Sequence, residues 1–194
     1  MNELEAKEEI RLIQEMIQKT RKSTAETGNL FFFWGSLIIL AIIGNYALVF
    51  AQKYDWIWIN WTVFVLAGMF YSAFYSKRQE KRQEAATYVQ IAARHLAIAC
   101  GMGFLILGLV FPLFKLYSFG VIPPLVAVIA GIELFSIGGI YEWNLLKWCA
   151  VLWWLGSLGM LLVHVYYRTL VFIPLIIFAY LLPVWILRSK YKKA

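Results

Sequence analysis

Charged side chains are scarce in this sequence. Aspartate, glutamate, lysine and arginine make up 15% of the 194 residues, whereas hydrophobic residues make up 62%. Soluble domains carry roughly 25% charged residues, so this deficit excludes a water-soluble globular domain and indicates that lipid is the solvent. The net charge of +7 would suggest nucleic acid as the partner of a soluble protein. Here the cations lie in short clusters between apolar runs, which indicates contact with anionic lipid head groups and no nucleic acid.

Cysteine and histidine are also rare, with two of each. Cys100 and Cys149 lie in apolar runs without another cysteine or histidine at ligand spacing, so we expect small buried side chains rather than a disulfide or a metal site. The sequence lacks the G-x-S-x-G, Walker, H-E-x-x-H and C-x-x-C motifs. We therefore expect neither enzymatic activity nor a bound cofactor or metal.

Six apolar runs of roughly membrane-spanning length are present. They predict an all-α polytopic membrane protein whose six transmembrane helices form three hairpins. The predicted spans are residues 30–50, 56–75, 91–114, 120–141, 145–167 and 170–187, within a transmembrane domain of residues 29–187. Similar stretches of glycine and aliphatic residues begin at Trp34, Cys100 and Leu155, each on the outward leg of a hairpin. They favour three parallel repeats about an axis along the membrane normal.

Residues 1–28 precede the first span and predict a cytoplasmic amphipathic helix. One face of this helix is apolar, and its members are Ala6, Ile10, Ile13, Met16 and Ile17. Two interpretations stay open: a helix lying on the membrane surface or on the protein's own loops, and a helix used for self-association or partner docking. Residues 188–194 form a basic cytoplasmic tail.

The orientation of the chain follows from its cations. With six spans and a cytoplasmic N-terminus, 15 of the 18 lysine and arginine residues fall on the cytoplasmic side. The other three, Lys53, Lys115 and Arg168, fall outside. By the positive-inside rule, both termini face the cytoplasm, and the expected location is the bacterial inner membrane.

Glu133 is a single carboxylate inside the fourth span. An uncompensated charge near the centre of a membrane helix costs roughly 2.5–3.5 kcal/mol, so Glu133 needs a proton or a partner. Small residues around it favour close packing of a neighbouring helix. Arg94 and His95 enter the membrane from the same side as Glu133 and complete a candidate polar cluster. In one interpretation, Glu133 is protonated or hydrogen-bonded for structural reasons; in the other, Glu133 and His95 line a polar cavity and exchange a proton or bind a small cation.

Other polar and small residues provide secondary candidates. Asn45 is the one strongly polar side chain in the first span, and we expect it to bond to a neighbouring helix. His164 is predicted near the far end of the fifth span, away from Glu133. In the third span, the small residues Gly101, Gly103 and Gly108 define a packing face.

The segments IRLIQEMIQKTRKS, FFWGSLIILAIIGNYAL and PLVAVIAGIELFSIGGI, together with the tryptophan-rich span that follows, cover much of the chain. In these segments the sequence resembles a family of small, uncharacterised bacterial integral membrane proteins with six predicted spans. The resemblance implies the same architecture and an inner-membrane location. It implies no activity, substrate or site residue.

Together these features predict a non-enzymatic integral membrane protein that binds partners or itself as a regulatory module. Its expected partners are anionic lipid head groups and either a second copy of the chain or another membrane or cytoplasmic protein. The alternative is a small channel or transporter for protons or a small solute. It would use Glu133 and the sixth span, where Pro174 and Pro183 interrupt the helical hydrogen bonding.

Overall fold

A computed structural model describes residues 30–80, 88–183 and 185 of the chain, which form helices joined by turns. The helices are α1 (Leu30–Phe50), α2 (Tyr54–Arg78), α3 (Tyr88–Leu113), α4 (Phe119–Ile140), α5 (Asn144–Leu162) and α6 (Val165–Leu181). Within the described residues, α1 to α5 are each long and apolar enough to cross a membrane, and α6 is a shorter apolar helix. The chain is thus an all-α polytopic membrane protein, as its composition predicts. The predicted amphipathic helix of residues 1–28 and the tail of residues 188–194 lie outside the described residues.

The largest differences from the predicted spans are at the turn between α5 and α6. The fifth helix ends at Leu162 rather than at residue 167, because Val163 and His164 adopt extended backbone angles. In a continuing α-helix, the Tyr167 amide would donate to the Val163 carbonyl. That carbonyl accepts from Arg168 Nε at 3.1 Å, and the Tyr167 amide donates to the His164 carbonyl at 2.9 Å. The sixth helix then begins at Val165, five residues before its predicted start. His164 therefore lies in a turn and not inside a span.

Helices α1, α3 and α4 end in the same motif. Gln52, Lys115 and Glu142 each have a positive φ, between 53° and 58°. At each position, the amide of this residue and that of the next residue donate back to carbonyls of the last helical turn. This is the Schellman arrangement, which satisfies carbonyls that a bilayer cannot hydrate. None of the three positions carries the glycine that this conformation favours.

A π-helical segment, Ile106–Val110, precedes Pro112 in α3. In π-helical hydrogen bonding, the amide of residue 112 would pair with the Leu107 carbonyl, but proline has no N–H to donate. The hydroxyl of Tyr117, in the turn after α3, donates to the Leu107 carbonyl instead. A side chain from the turn thus replaces the missing backbone donor.

The centre of the bundle is the antiparallel pair of α4 and α5, which share more extensive contact than any other pair among α2 to α6. A Cβ built on Gly131 would lie 2.2 Å from Trp154 Nε1, so the absence of a side chain there lets the indole sit on α4. Farther along, Ser157 Oγ donates to the Pro124 carbonyl at 2.9 Å. This pair joins the second and third predicted hairpins, and the threefold repeat of hairpins stays a prediction.

Helix α1 connects α2 to the rest of the bundle. On one side, a Cβ at Gly35 would meet Ile176 of α6 at 3.1 Å. On the other side, Trp34 Nε1 donates to Ser72 Oγ of α2 at 3.0 Å. The rings of Phe33 and Tyr71 stack with centroids 3.8 Å apart. Among the five long helices, α2 has the smallest buried share and α4 the largest, so α2 lies at the edge of the bundle.

Candidate functional site

Glu133 lies on α4, seven residues before its last residue, Ile140. At 1.5 Å per residue, this places its Cα about 10 Å from the end of the helix. The side chain is partly buried. Leu134, which follows it, is buried in the bundle, whereas Ile132, which precedes it, is exposed. The acid therefore lies inside a helix long and apolar enough to cross a membrane, and it is next in sequence to a residue of the buried core.

The register of α3 against α4 places Cys100 beside Glu133. A Cβ built on Gly103 would contact Ile129 Cδ1 at 3.4 Å, so these two residues lie at the same level of the antiparallel pair. Moving four residues along α4 reaches Glu133, and moving three residues back along α3 reaches Cys100. The Glu133 carboxyl and the buried Cys100 thiol therefore lie at the same level of the bundle.

Helix α6 brings a third ionisable side chain, Tyr180, to the same level. Its hydroxyl interacts electrostatically with both Glu133 and Cys100. Its ring makes edge contacts with Phe31 of α1 at 5.1 Å and with Trp153 of α5 at 5.7 Å between centroids. Tyr180 therefore links the polar cluster on α3, α4 and α6 to the apolar core on α1 and α5.

Trp153 adds an unusual polar atom next to this cluster. Its side chain is 2% exposed, and within the described part of the chain no acceptor lies within hydrogen-bond distance of its Nε1. A buried donor without an acceptor costs about 1–3 kcal/mol. The indole contacts the rings of both Tyr180 and Phe172, so this unsatisfied donor lies in the layer that contains Tyr180.

The structure places the predicted partner His95 away from Glu133. His95 is exposed, and its Nδ1 lies 2.8 Å from the Ile91 carbonyl oxygen of its own helix. It precedes Cys100 by five residues, which is about 7.5 Å along α3. Arg94 is partly buried and lies one residue farther still from the level of the acid. The nearest ionisable neighbours of Glu133 by register are thus Cys100 and Tyr180.

Sequence reasoning missed both of these residues as members of the site. Cys100 was expected to be a small buried side chain, which it is, and Tyr180 was not singled out. Distance from the helix ends could not have found Cys100, because Glu133 lies seven residues before the end of α4 and His95 lies seven residues after the start of the antiparallel α3. Only the register of the packed helices places Cys100 at the level of the acid.

The two secondary candidates have structural partners. Asn45 Oδ1 accepts a hydrogen bond from Trp61 Nε1 of α2 at 3.2 Å, which is the inter-helix bond expected for this amide. The exposed His164 ring stacks on Tyr166, with centroids 5.3 Å apart and an interplanar angle of 19°. Neither residue joins the Glu133 cluster.

The chemistry of this site is limited to a carboxyl, a thiol and a phenol. Each can bind or release a proton, and the described residues contain no group of three or more His, Cys, Asp or Glu side chains that could hold a metal ion. The arrangement is therefore suited to proton exchange. Comparisons of the chain with protein-family models, with curated proteins and with solved structures find no match.

Proposed function

We propose that this chain is a non-enzymatic protein of the bacterial inner membrane that works by associating with a second copy of itself through α3. Both termini face the cytoplasm in this proposal. The observation that carries it is a row of small residues on one side of α3 that has no contact within the described structure.

Most glycines of the bundle serve contacts within the chain. A Cβ would lie within 3.2 Å of a neighbouring side chain at each of the following: Gly35, Gly44, Gly68, Gly131, Gly138 and Gly156. At Gly101 and Gly108 of α3, as at Gly139 of α4 and Gly159 of α5, a Cβ would have nothing within 4 Å in the described structure. Only on α3 do two such glycines lie on one side of the same helix. These two glycines are therefore free to receive a helix from another molecule.

The open glycines of α3 fall on one side of the helix together with an alanine. Ala97 and Gly101 are both exposed and lie four residues apart, and Gly108 follows seven residues later. This spacing is the small-xxx-small pattern that lets two membrane helices bring their backbones close together. Cys100 is on the buried side of α3, so an association through Ala97 and Gly101 leaves the Glu133 cluster inside the protomer.

Three cations are assigned to the outside by the positive-inside count, and each has a local structural role. Lys53 and Lys115 lie just beyond the C-terminal ends of α1 and α3, where cations are favoured by about 0.3–1 kcal/mol. Arg168 lies in the first turns of α6. Arg168 also donates to the Val163 carbonyl at 3.1 Å and to the Gly120 carbonyl at 2.8 Å. These three cations thus have local structural roles, and their position does not weaken the bias of the remaining cations toward the cytoplasm.

Cysteine crosslinking in native membranes tests the association. In the full chain, Ala97→Cys should form a disulfide-linked dimer under mild oxidation, because the proposed contact brings the two copies of residue 97 together. Adding Gly101→Leu should abolish the dimer, since leucine holds the backbones apart. The matched control is Gly159→Leu, because Gly159 of α5 is also open but lies outside the row. It should leave the dimer intact.

A cysteine at the exposed Leu158 of α5 measures random collision in the membrane. Equal crosslinking of Leu158→Cys and Ala97→Cys would contradict the proposal, as would a dimer that survives Gly101→Leu. Crosslinking of Ala97→Cys to a different protein would show a heterologous partner and would also overturn self-association. Deleting residues 1–22 tests the amphipathic segment separately. The dimer should persist without that segment.

A further inference from the structure

We propose that Glu133, Cys100 and Tyr180 form a proton-binding site inside the bundle, in which Glu133 takes up a proton from the side on which α4 ends. This site is independent of the proposed self-association, because it lies on the inner side of α3 and the small-residue row lies on the outer side.

The cluster is defined by helix register. The Gly103–Ile129 contact sets α3 against α4 and brings Cys100 level with Glu133. On the other side, a Cβ at Gly156 would lie 2.5 Å from Leu175 Cδ1, which sets α5 against α6. Tyr180 lies five residues after Leu175, so it is level with residue 151, which lies five residues before Gly156 on the antiparallel α5. On α4, Gly131 lies opposite Trp154. Residue 151 is therefore level with residue 134, next to Glu133.

Other ionisable groups on the packed helices lie nearer to the cytoplasmic ends. On α5, Cys149 is buried and Lys147 contacts α4 at Gly138. On α3, Arg94 and His95 precede Cys100 by six and five residues. The described residues of α1 bring an aromatic ring, Phe31, and no ionisable group to this layer. Glu133 is thus the one carboxyl at its level among the described residues, and the hydroxyl and thiol beside it are its closest ionisable neighbours.

The composition of the cluster favours a proton over a metal ion. A single carboxyl with a thiol and a phenol lacks the three or more oxygen, nitrogen or sulfur ligands of an all-protein metal site, and a neutral carboxyl avoids the cost of a charge in lipid. Glu133 and Ser136, one turn closer to the helix end, are both partly exposed. Along the helix axis, Glu133 lies about 10 Å from the end of α4.

A change of charge at Glu133 would affect the packing of α6 against α1 and α5. Tyr180 shares the cluster with Glu133 and contacts Phe31 on α1 and Trp153 on α5. A carboxylate would recruit the tyrosine O–H as a hydrogen-bond donor, whereas a neutral acid can donate its own proton. Protonation of Glu133 therefore changes the hydrogen bonding that is open to Tyr180 of α6. Helices α1 and α5 pack against the Tyr180 ring through Phe31 and Trp153.

Reaction with a hydrophobic carbodiimide tests the site. Dicyclohexylcarbodiimide enters bilayers and modifies protonated carboxyls. The full chain in lipid vesicles should therefore be labelled at Glu133, at a rate that falls as the pH rises. Glu133→Gln should remove the label. Cys100→Ala and Tyr180→Phe should each move the pH midpoint of labelling, whereas Cys149→Ala and Tyr46→Phe remove the same groups elsewhere and should leave the midpoint unchanged.

Three outcomes would overturn the proposal. The first is labelling of Glu133 only after the protein is unfolded in detergent, because the site would then be closed to protons. The second is protection of Glu133 by sodium at constant pH, which would show a cation site. The third is a pH midpoint that does not respond to Cys100→Ala or Tyr180→Phe. Infrared spectroscopy of the wild-type protein supplies a measurement that requires no variant to fold: the C=O band of a neutral carboxyl should appear as the pH is lowered and should be absent at high pH.

Discussion

The indole of Trp154 lies directly over Gly131, and its Nε1 donates to the Val128 carbonyl of the same helix at 3.3 Å. A tryptophan on α5 is thus held against the backbone of α4 by both shape and a hydrogen bond. The contact fixes the register of the central helix pair, and this register positions Glu133 relative to the neighbouring helices.

Gly131→Ala should destabilise the protein, because the new Cβ would lie 2.2 Å from Trp154 Nε1. Overpacking of this kind costs about 1–3 kcal/mol, which should appear as a lower midpoint of thermal unfolding in detergent. Gly159→Ala is the control, since no atom lies within 4 Å of a Cβ there, and alanine is the better helix former. It should be neutral or stabilising. An equal loss of stability in both variants would contradict the structural role of Trp154.

Arg168 joins the turn between α5 and α6 to the first turn of α4, because its guanidinium donates to the carbonyls of Val163 and Gly120. Arg168→Met should leave both carbonyls without this donor and lower the free energy of unfolding by about 1.5–3 kcal/mol, the range for hydrogen bonds to charged groups. Arg168→Lys keeps the charge but loses the planar guanidinium that reaches both carbonyls. It should therefore restore only part of the stability, as measured by thermal unfolding. Full recovery with lysine would show that charge alone matters at this position.

The membrane spans and Asn45 illustrate what could be predicted from the sequence. Hydropathy located the helices because each must present about 20 apolar residues to lipid. Asn45 was expected to bond to a neighbouring helix because its amide has no water partner in the membrane, and it accepts from Trp61. Both predictions depend on the solvent and not on tertiary geometry.

The partners of Glu133 could not be predicted in the same way. Depth alone made His95 a plausible neighbour, but the rotation and register of α3 are set by contacts such as Gly103–Ile129, which hydropathy does not encode. The end of α5 depended on a similar tertiary effect. The apolar run continues past Leu162, but Arg168 of α6 donates a hydrogen bond to the Val163 carbonyl, and α5 ends before that residue. Such effects depend on which residues meet in three dimensions.

Glu142 adopts a left-handed conformation, with a φ of 53°, after the last turn of α4. A non-glycine residue is disfavoured there by roughly 1–2 kcal/mol, and a negative charge at a helix C-terminus is also unfavourable. Glu142→Gly should therefore raise the thermal midpoint, with a net gain of about 1 kcal/mol after the entropy cost of glycine. Glu142→Gln removes only the charge and should give a smaller gain. If the glutamine variant equals the glycine variant, backbone strain contributes nothing.

Tyr117 and Pro112 should be energetically coupled. The tyrosine hydroxyl donates to the Leu107 carbonyl, and Pro112 has no N–H that could donate to that carbonyl. Tyr117→Phe removes this donor, which should cost about 0.5–1.5 kcal/mol in unfolding free energy. In a Pro112→Ala background, residue 112 regains a backbone N–H that can satisfy the freed carbonyl, either directly or after the π-helical segment relaxes to an α-helix. The cost of Tyr117→Phe should then fall. A double-mutant cycle measured by thermal unfolding gives the coupling, and strict additivity would show that the hydroxyl does not compensate for the proline.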